Sequence, residues 1–212
     1  MFLEKCHTYN DKNIKAILIG NAGVGKTNLI NITIGKEFNE NQASTLGQTF
    51  SKKKIEIDGN VYNIDLWDTI GQESLKSINK LFYKNSRIVI FVYDITNLKS
   101  FEDLESWISE VDTQIGLKNC IKGIVANKID LFLKEEVSDE KGEQYAKSIG
   151  AKFLQISAKT SDPKAFINFI TDMLKDYLAS DIKKDCGNGR ITIDYSHTIK
   201  KIDNSKCCLS QK

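Results

Sequence analysis

The sequence predicts an α/β fold in which a six-stranded, mostly parallel sheet carries helices on both faces. Apolar runs bounded by turn residues alternate with longer amphipathic stretches along the chain, which is the pattern of strands and helices in succession. A length of 212 residues suits one such domain with a short appendage. Hydrophobic residues at 41% and charged residues at 27% are globular values, so wholesale disorder is excluded.

The elements can be placed in order along the chain. The predicted strands cover 15–20, 51–58, 61–68, 87–95, 121–127 and 152–157, with a hairpin at the Gly59-Asn60 pair. Five helical stretches are predicted, including one that begins near Lys26 and others over about 99–115, 138–149 and 163–179. Pro163 suits the first turn of the last helix, which has a broad apolar face.

The helix pattern ends after Ala179, which predicts three parts. We expect a folded domain over 13–180, a flexible N-terminus over 1–12 and a flexible C-terminal tail over 181–212. The tail holds seven Lys and Arg against four Asp, while the whole chain has a net charge of only +2. Five cysteines with an adjacent pair, and no secretory signal pattern, predict a reducing, cytosolic compartment. The longest apolar run, 88–93, is too short to cross a bilayer.

A phosphate-binding loop follows the first strand and opens the first helix. It matches GxxxxGK[ST] and consists of Gly20, Asn21, Ala22, Gly23, Val24, Gly25, Lys26 and Thr27. Its glycines let consecutive backbone N–H groups turn inward around phosphate oxygens. Lys26 is predicted to reach the β- and γ-phosphates, and the Thr27 hydroxyl to ligate Mg²⁺.

Two further loops follow strands at the same predicted sheet edge, where ligands bind in such folds. They contain the nucleotide-binding candidates Asn127, Lys128, Asp130, Ser157, Ala158 and Lys159. The Asp130 carboxylate can accept hydrogen bonds from guanine N1–H and the 2-amino group, whereas adenine offers neither donor. The Ala158 N–H is expected near guanine O6. GTP and GDP are therefore the predicted nucleotides, and an ATP-using phosphate-loop enzyme is the disfavoured rival.

The segment after the third strand supplies the expected metal and catalytic groups. Asp68 ends an apolar strand and can hold Mg²⁺ through water. Gln72, four residues on, is suited to orienting an attacking water, and Gly71 can offer its backbone N–H to a γ-phosphate.

In combination these motifs resemble those of Ras-superfamily small GTPases, and most of all the Rab branch, over about residues 15–178. The Rab-like features are Leu46-Gly47 with Phe50, the segments 75–78, 82–84 and 91–96, and the terminal cysteine pair. The resemblance implies the G domain of the P-loop NTPases. It also implies that Thr45 ligates Mg²⁺ and meets the γ-phosphate, and that Phe38 packs against the guanine.

The resemblance further implies a GTP/GDP switch that hydrolyses GTP, slowly without an activating protein, and regulates intracellular vesicle trafficking. The implied partners are an exchange factor, a GTPase-activating protein, a GDP-dissociation inhibitor or escort protein, and effectors, with no role for nucleic acid. Cys207 and Cys208 would be prenylated, because two lipid chains give stable attachment where one does not. The expected location is the cytoplasmic face of endomembranes, with cycling through the cytosol. Unmodified thiols are the alternative.

Ile70 stands where these proteins have Ala, and Gln48-Thr49 replaces a Val-Asp/Glu pair in the surface that effectors contact. The alternative function is therefore a nucleotide-dependent membrane scaffold of the same fold that scarcely hydrolyses GTP.

Overall fold

The computed structural model describes residues 13–40, 42, 49–69 and 83–180. Six strands in these residues form one sheet: β1 Asn13–Ile19, β2 Thr49–Ile57, β3 Asn60–Asp68, β4 Ser86–Asp94, β5 Ile121–Asn127 and β6 Lys152–Ile156. Their spatial order is β2-β3-β1-β4-β5-β6, and only β2 runs antiparallel to its neighbour. The predicted mostly parallel six-stranded sheet is confirmed, with strand ends shifted by one or two residues.

The helices lie in the connections between the strands, except for the last helix, which follows β6 as predicted. They are α1 Lys26–Thr33, α2 Leu98–Glu102, α3 Leu104–Ile115, α4 Asp139–Ser148 and α5 Pro163–Ala179, with short 3₁₀ stretches at Leu117–Asn119 and Ile129–Lys134. Pro163 occupies the first turn of α5, where its missing N–H costs nothing. Among the helices of the described residues, none has the length and apolar character needed to cross a bilayer.

The hairpin between β2 and β3 turns one residue earlier than the sequence predicts. Its two turn residues are Asp58 and Gly59, with φ of 50° and 73°, and Asn60 already pairs with Ile57. A two-residue type I′ turn needs positive φ at both central positions, and an Asp-Gly pair meets that need well. The Gly59-Asn60 assignment is therefore wrong by one residue, although the hairpin itself is confirmed.

The single helix predicted over 99–115 is interrupted at Asp103. That residue has ψ of −11°, well away from the helical value of about −42°, and it separates α2 from α3. Backbone hydrogen bonds still pass through it, from Asp103 N to Lys99 O at 2.9 Å and from Trp107 N to Asp103 O at 3.1 Å. The Asp103 side chain is held by a residue far away in the sequence, so periodicity alone does not reveal the break.

The core lies in two layers, one on each face of the sheet. In β1, Ala16 and Leu18 belong to the layer beneath α1 and α5, whereas Ile17 and Ile19 belong to the layer beneath α3 and α4. Strands buried on both faces have near-continuous apolar sequences, as β1 and β4 do. Because five strands are parallel, the loops that follow β1, β3, β4, β5 and β6 meet at one edge of the sheet.

Candidate nucleotide-binding site

The phosphate loop joins β1 to α1 with backbone angles that require glycine. Gly20 has φ of 147°, and a Cβ added there would run into the Val92 carbonyl. Gly25 has φ of 99° and precedes α1, and it carries no side chain that could cap the helix. A Cβ on Gly25 would meet the Asn127 side-chain amide. This backbone forms the kind of cradle that binds phosphate.

Lys26 lies inside this loop and is only 5% exposed. Its Nζ donates to the carbonyl oxygens of Gly20 and Asn21, at 2.7 and 2.8 Å. Burial lowers the pKa of Lys26 to about 8, against a smaller raising effect of the Asp68 carboxylate. A buried cation whose charged form is disfavoured in this way gains greatly from an anion, which is what the predicted phosphate contact would supply.

Thr27 and Asp68 come together although they lie 41 residues apart. The Thr27 hydroxyl donates to Asp68 Oδ2 at 2.7 Å, and Asp68 is buried at the end of β3. The next residue, Thr69, donates its hydroxyl to Leu18 O at 2.6 Å and so fixes the end of β3 beside β1. Hydroxyl and carboxylate oxygens are the donors that Mg²⁺ prefers, so these two residues fit the predicted metal.

Asn127 ties three loops together at the carboxyl edge of the sheet. Its Nδ2 donates to Val24 O in the phosphate loop at 2.7 Å, and its Oδ1 accepts from the Ala158 N–H at 3.1 Å. The side chain is buried, with 1% of the residue exposed. The amide therefore satisfies one acceptor and one donor from loops that follow β1 and β6.

Asp130 is held in place by the neighbouring loop. The Ser157 hydroxyl donates to Asp130 Oδ1 at 2.5 Å and also accepts from the N–H groups of Lys159 and Thr160, each at 3.1 Å. Ser157 is fully buried, so this bond restrains the carboxylate while leaving its second oxygen for another donor.

Lys128 has a left-handed backbone, with φ of 68°. Its Nζ pairs with Asp94 Oδ2 at 2.6 Å, and Asp94 Oδ1 accepts from the N–H and hydroxyl of Thr96, at 2.9 and 2.7 Å. Asp94, at the end of β4, therefore holds Lys128, which lies between Asn127 and Asp130 in the sequence. Sequence reasoning missed Asp94, whose signal was a carboxylate at the end of a buried strand.

Phe38 and Lys159 lie at the outer rim of the site. Lys159 Nζ stands 5.9 Å from the centroid of the Phe38 ring and 3.3 Å from Glu40 Oε1. Phe38 also packs against the core layer beneath α1. An aromatic ring and a lysine side chain are thus brought to the same rim, as a pocket for a planar base requires.

The Asn21 side chain points toward α3. Its Oδ1 accepts from Trp107 Nε1 at 2.7 Å, and its Nδ2 donates to Asp103 Oδ2 at 2.6 Å. Asp103 also pairs with Lys99 at 3.0 Å. This network anchors the start of the phosphate loop to the α2–α3 junction. The sequence pattern gives no signal for the hydrogen bond that Trp107 makes to Asn21.

Several features that sequence reasoning singled out lie outside the described residues: the site and lipidation candidates Thr45, Ile70, Gly71, Gln72, Cys207 and Cys208, the features Leu46, Gly47, Gln48 and 75–78, and the predicted ends 1–12 and 181–212. The other candidate site residues from the loops after β1, β3, β5 and β6 meet at one sheet edge, and Phe38 stands at its rim.

The comparisons with known proteins agree with this geometry. The Ras family model matches residues 15–175. Ras-related protein Rab-18 of Caenorhabditis briggsae is 40% identical over 149 residues, covering 70% of this chain and 73% of its own length. Ras-related protein Rab-8B of Homo sapiens is 37% identical over 166 residues, covering 77% and 80%. Rab-21 of Homo sapiens is 39% identical over 147 residues, covering 69% and 65%. The chain belongs to the Ras superfamily, within which it is a small GTPase of the Rab family.

Proposed function

We propose that this Rab-family GTPase binds GTP and GDP through the loops that follow β1, β5 and β6, with Asp130 selecting the guanine base. Membership of the family makes it a GTP-hydrolysing switch that regulates vesicle trafficking. The observation that supports our assignment of the site best is the Asn127 side chain, which joins Val24 O to the Ala158 N–H. Because of it, the phosphate loop and both base-contacting loops form one rigid unit.

The phosphates of the nucleotide would lie against the glycine loop and Lys26. Binding would give the buried ammonium a counter-charge and would place the phosphates at the N-terminus of α1, which no side chain caps. Thr27, Asp68 and Thr45 would hold Mg²⁺, with Asp68 acting through water. When bound, Mg²⁺ neutralises the charge that develops on the β- and γ-phosphates.

For hydrolysis, we assign Gln72 the role of orienting the attacking water and Gly71 that of contacting the γ-phosphate through its N–H. The chain has only two arginines, Arg87 and Arg190. Arg87 lies in the first half of β4, at the opposite end of that strand from Asp94 and the site. No described residue therefore serves as an arginine finger, so unaided hydrolysis should be slow until an activating protein supplies one.

Loss of the γ-phosphate would release Thr45 and Gly71, and partner proteins would distinguish the two states through the surface around them. Next to these segments, Phe50 is 54% exposed and stacks on Trp67, with ring centroids 5.4 Å apart. Lys15 Nζ lies 4.2 Å from the centroid of the Trp67 ring. An exposed aromatic ring stacked on a half-buried one is typical of a protein-binding surface. It supports the proposed binding of effectors, alongside an exchange factor, an activating protein and a GDP-dissociation inhibitor or escort protein.

Attachment to endomembranes would come from prenylation of Cys207 and Cys208, and extraction by a GDP-dissociation inhibitor would return the protein to the cytosol. Two lipid chains make the attachment stable, where one gives only marginal, reversible binding.

Exchange of the base-reading carboxylate for an amide tests the proposed specificity. Asp130→Asn keeps the oxygen that accepts from Ser157 but replaces a second acceptor with a donor. GDP affinity should fall by up to roughly 10⁴-fold, while xanthosine diphosphate, whose 2-oxo group accepts where guanine donates, should bind better. Asp139→Asn, on the exposed first turn of α4, is the matched control. Unaltered GDP affinity in Asp130→Asn would refute the assignment.

A further inference from the structure

We infer that Asn28 is a positioning residue that controls nucleotide release by holding the segment 38–40 closed over the base. The inference rests on the proposed function and adds a means of regulating the same site. Asn28 follows Thr27 on α1 and is 8% exposed. Its Nδ2 donates to Asn39 O at 3.0 Å, and its Oδ1 accepts from Asn39 N at 3.2 Å. One side-chain amide thus bonds both polar groups of one backbone residue.

The segment held by Asn28 has no regular structure of its own. Residues 36–39 belong to neither a helix nor a strand. Lys36 N bonds to Asn31 O at 2.8 Å, which fixes the start of the stretch 36–39 at the end of α1. Asn28 then fixes the same stretch three residues later, at Asn39, directly after Phe38. The Asn28 amide therefore hydrogen-bonds to a backbone N–H and a backbone C=O of this stretch, as a neighbouring strand does in a sheet.

Holding Asn39 also holds Phe38 at the rim of the base pocket. The Phe38 ring packs against the core layer beneath α1 and lies below Lys159 Nζ. If guanine packs against Phe38, the base can leave only when this segment swings away. Asn28 follows Thr27 in the same helical turn, so its amide mechanically links the phosphate end of the site to the base end.

A second contact at the rim is the ion pair between Lys159 and Glu40. Their side chains are 47% and 74% exposed, with N and O 3.3 Å apart. Such a surface ion pair typically changes an equilibrium by less than about fivefold. The two Asn28–Asn39 hydrogen bonds are partly buried and are made by a residue that is only 8% exposed, and together they change an equilibrium by on the order of 10- to 30-fold. The Asn28 amide is therefore the stronger of the two contacts, and an exchange factor that opens the base pocket must break it.

The test is the rate at which a fluorescent GDP analogue leaves the full-length protein when excess GDP is added. Asn28→Ala should release the analogue on the order of 10- to 30-fold faster than the wild type. Asn28→Ser should do the same, because a hydroxyl is too short to reach Asn39 and bonds instead to a carbonyl of its own helix, which keeps α1 intact. Asn31→Ala is the matched control, since only its backbone contacts the segment, and it should stay within about twofold.

The Asn28→Ala substitution in a Phe38→Ala protein separates a positioning role of Asn28 from a general effect of Asn28 on the stability of the protein. In Phe38→Ala, adding Asn28→Ala should change release by less than about twofold, because the side chain through which Asn28 acts is gone. An equal acceleration in both backgrounds would overturn the inference, as would unchanged release in both Asn28 variants or loss of folding in both. If the wild type retains GDP and the variants behave like it, only the role of Asn28 is wrong. If the wild type does not bind the analogue, the proposed function is wrong as well.

Discussion

Among substitutions that remove a single side chain, we expect Asn127→Ala to disturb the arrangement of the site loops most. The Asn127 amide is buried and makes hydrogen bonds of 2.7 Å to Val24 O and 3.1 Å from the Ala158 N–H. Truncation removes the partner of both backbone groups at once. A buried polar group deprived of its partner costs about 1–3 kcal/mol, so the two together should lower the free energy of unfolding by roughly 2–6 kcal/mol. A domain of this size has about 5–15 kcal/mol in total.

Nucleotide binding should suffer in the same variant, because the phosphate loop is no longer fixed to the two base-contacting loops. Urea unfolding of the nucleotide-free protein measures the loss of stability, and GDP titration measures the loss of affinity. Asn63→Ala provides the control, since Asn63 also donates a hydrogen bond of 2.8 Å, to Asn13, but does so at the exposed start of the sheet. We expect the control to stay within about 0.5 kcal/mol of the wild type. If Asn127→Ala behaves like Asn63→Ala in both assays, the three loops are not held together by this amide.

Three further predictions concern charge and attachment. We assign the phosphate contact to the protonated form of Lys26, and burial lowers the pKa of this lysine to about 8. GDP affinity should therefore fall about fourfold between pH 7 and 8.5, and Lys26→Met should remove that dependence; a flat wild-type profile would contradict the assignment. Asn21→Asp places a second carboxylate against Asp103 and should lower the free energy of unfolding, measured by urea titration, by about 1–3 kcal/mol. Adding Asp103→Asn should restore the stability, and failure of this second change to rescue the first would count against the network. Membrane fractionation should find the Cys207→Ser, Cys208→Ser double variant in the soluble fraction, and continued pelleting would rule out the lipid anchor.

The fold was predictable because its central strands are largely buried. The continuous apolar run within β4 and the shorter apolar run at 124–126 in β5 mark strands to within a residue or two. The two errors have different causes. Asp103 interrupts the helix while its carboxylate bonds to Asn21, which lies 82 residues away, and helical periodicity does not reveal such a contact. The hairpin turn was placed one residue too late because Asp58, like Asn60, can adopt positive φ next to Gly59.

The candidate site was predictable where backbone geometry demands particular residue types. The glycines of the phosphate loop and the lysine and threonine that follow them are recognisable because spacing and chemistry coincide. The side chains that hold the loops together were not predictable in that way. Asn28 occupies an ordinary helical position, and Asn127 acts on backbone groups 31 and 103 residues distant. The nucleotide and metal roles of all these site residues stay predictions, and Thr45, Gly71 and Gln72 also lie outside the described part of the chain.

The most direct test of a guanine-nucleotide switch is single-turnover release of phosphate from bound GTP in the presence of Mg²⁺. An unaided site without an arginine finger should release phosphate at roughly 10⁻⁴ to 10⁻³ s⁻¹, and Gln72→Leu should slow it further. Excess GTP but not ATP should displace the bound nucleotide. Phosphate release no faster than in protein-free buffer would contradict this account and favour a scaffold that holds GTP without hydrolysing it. A rate near 1 s⁻¹, far above the range for a site without an arginine finger, would contradict the assigned catalytic groups.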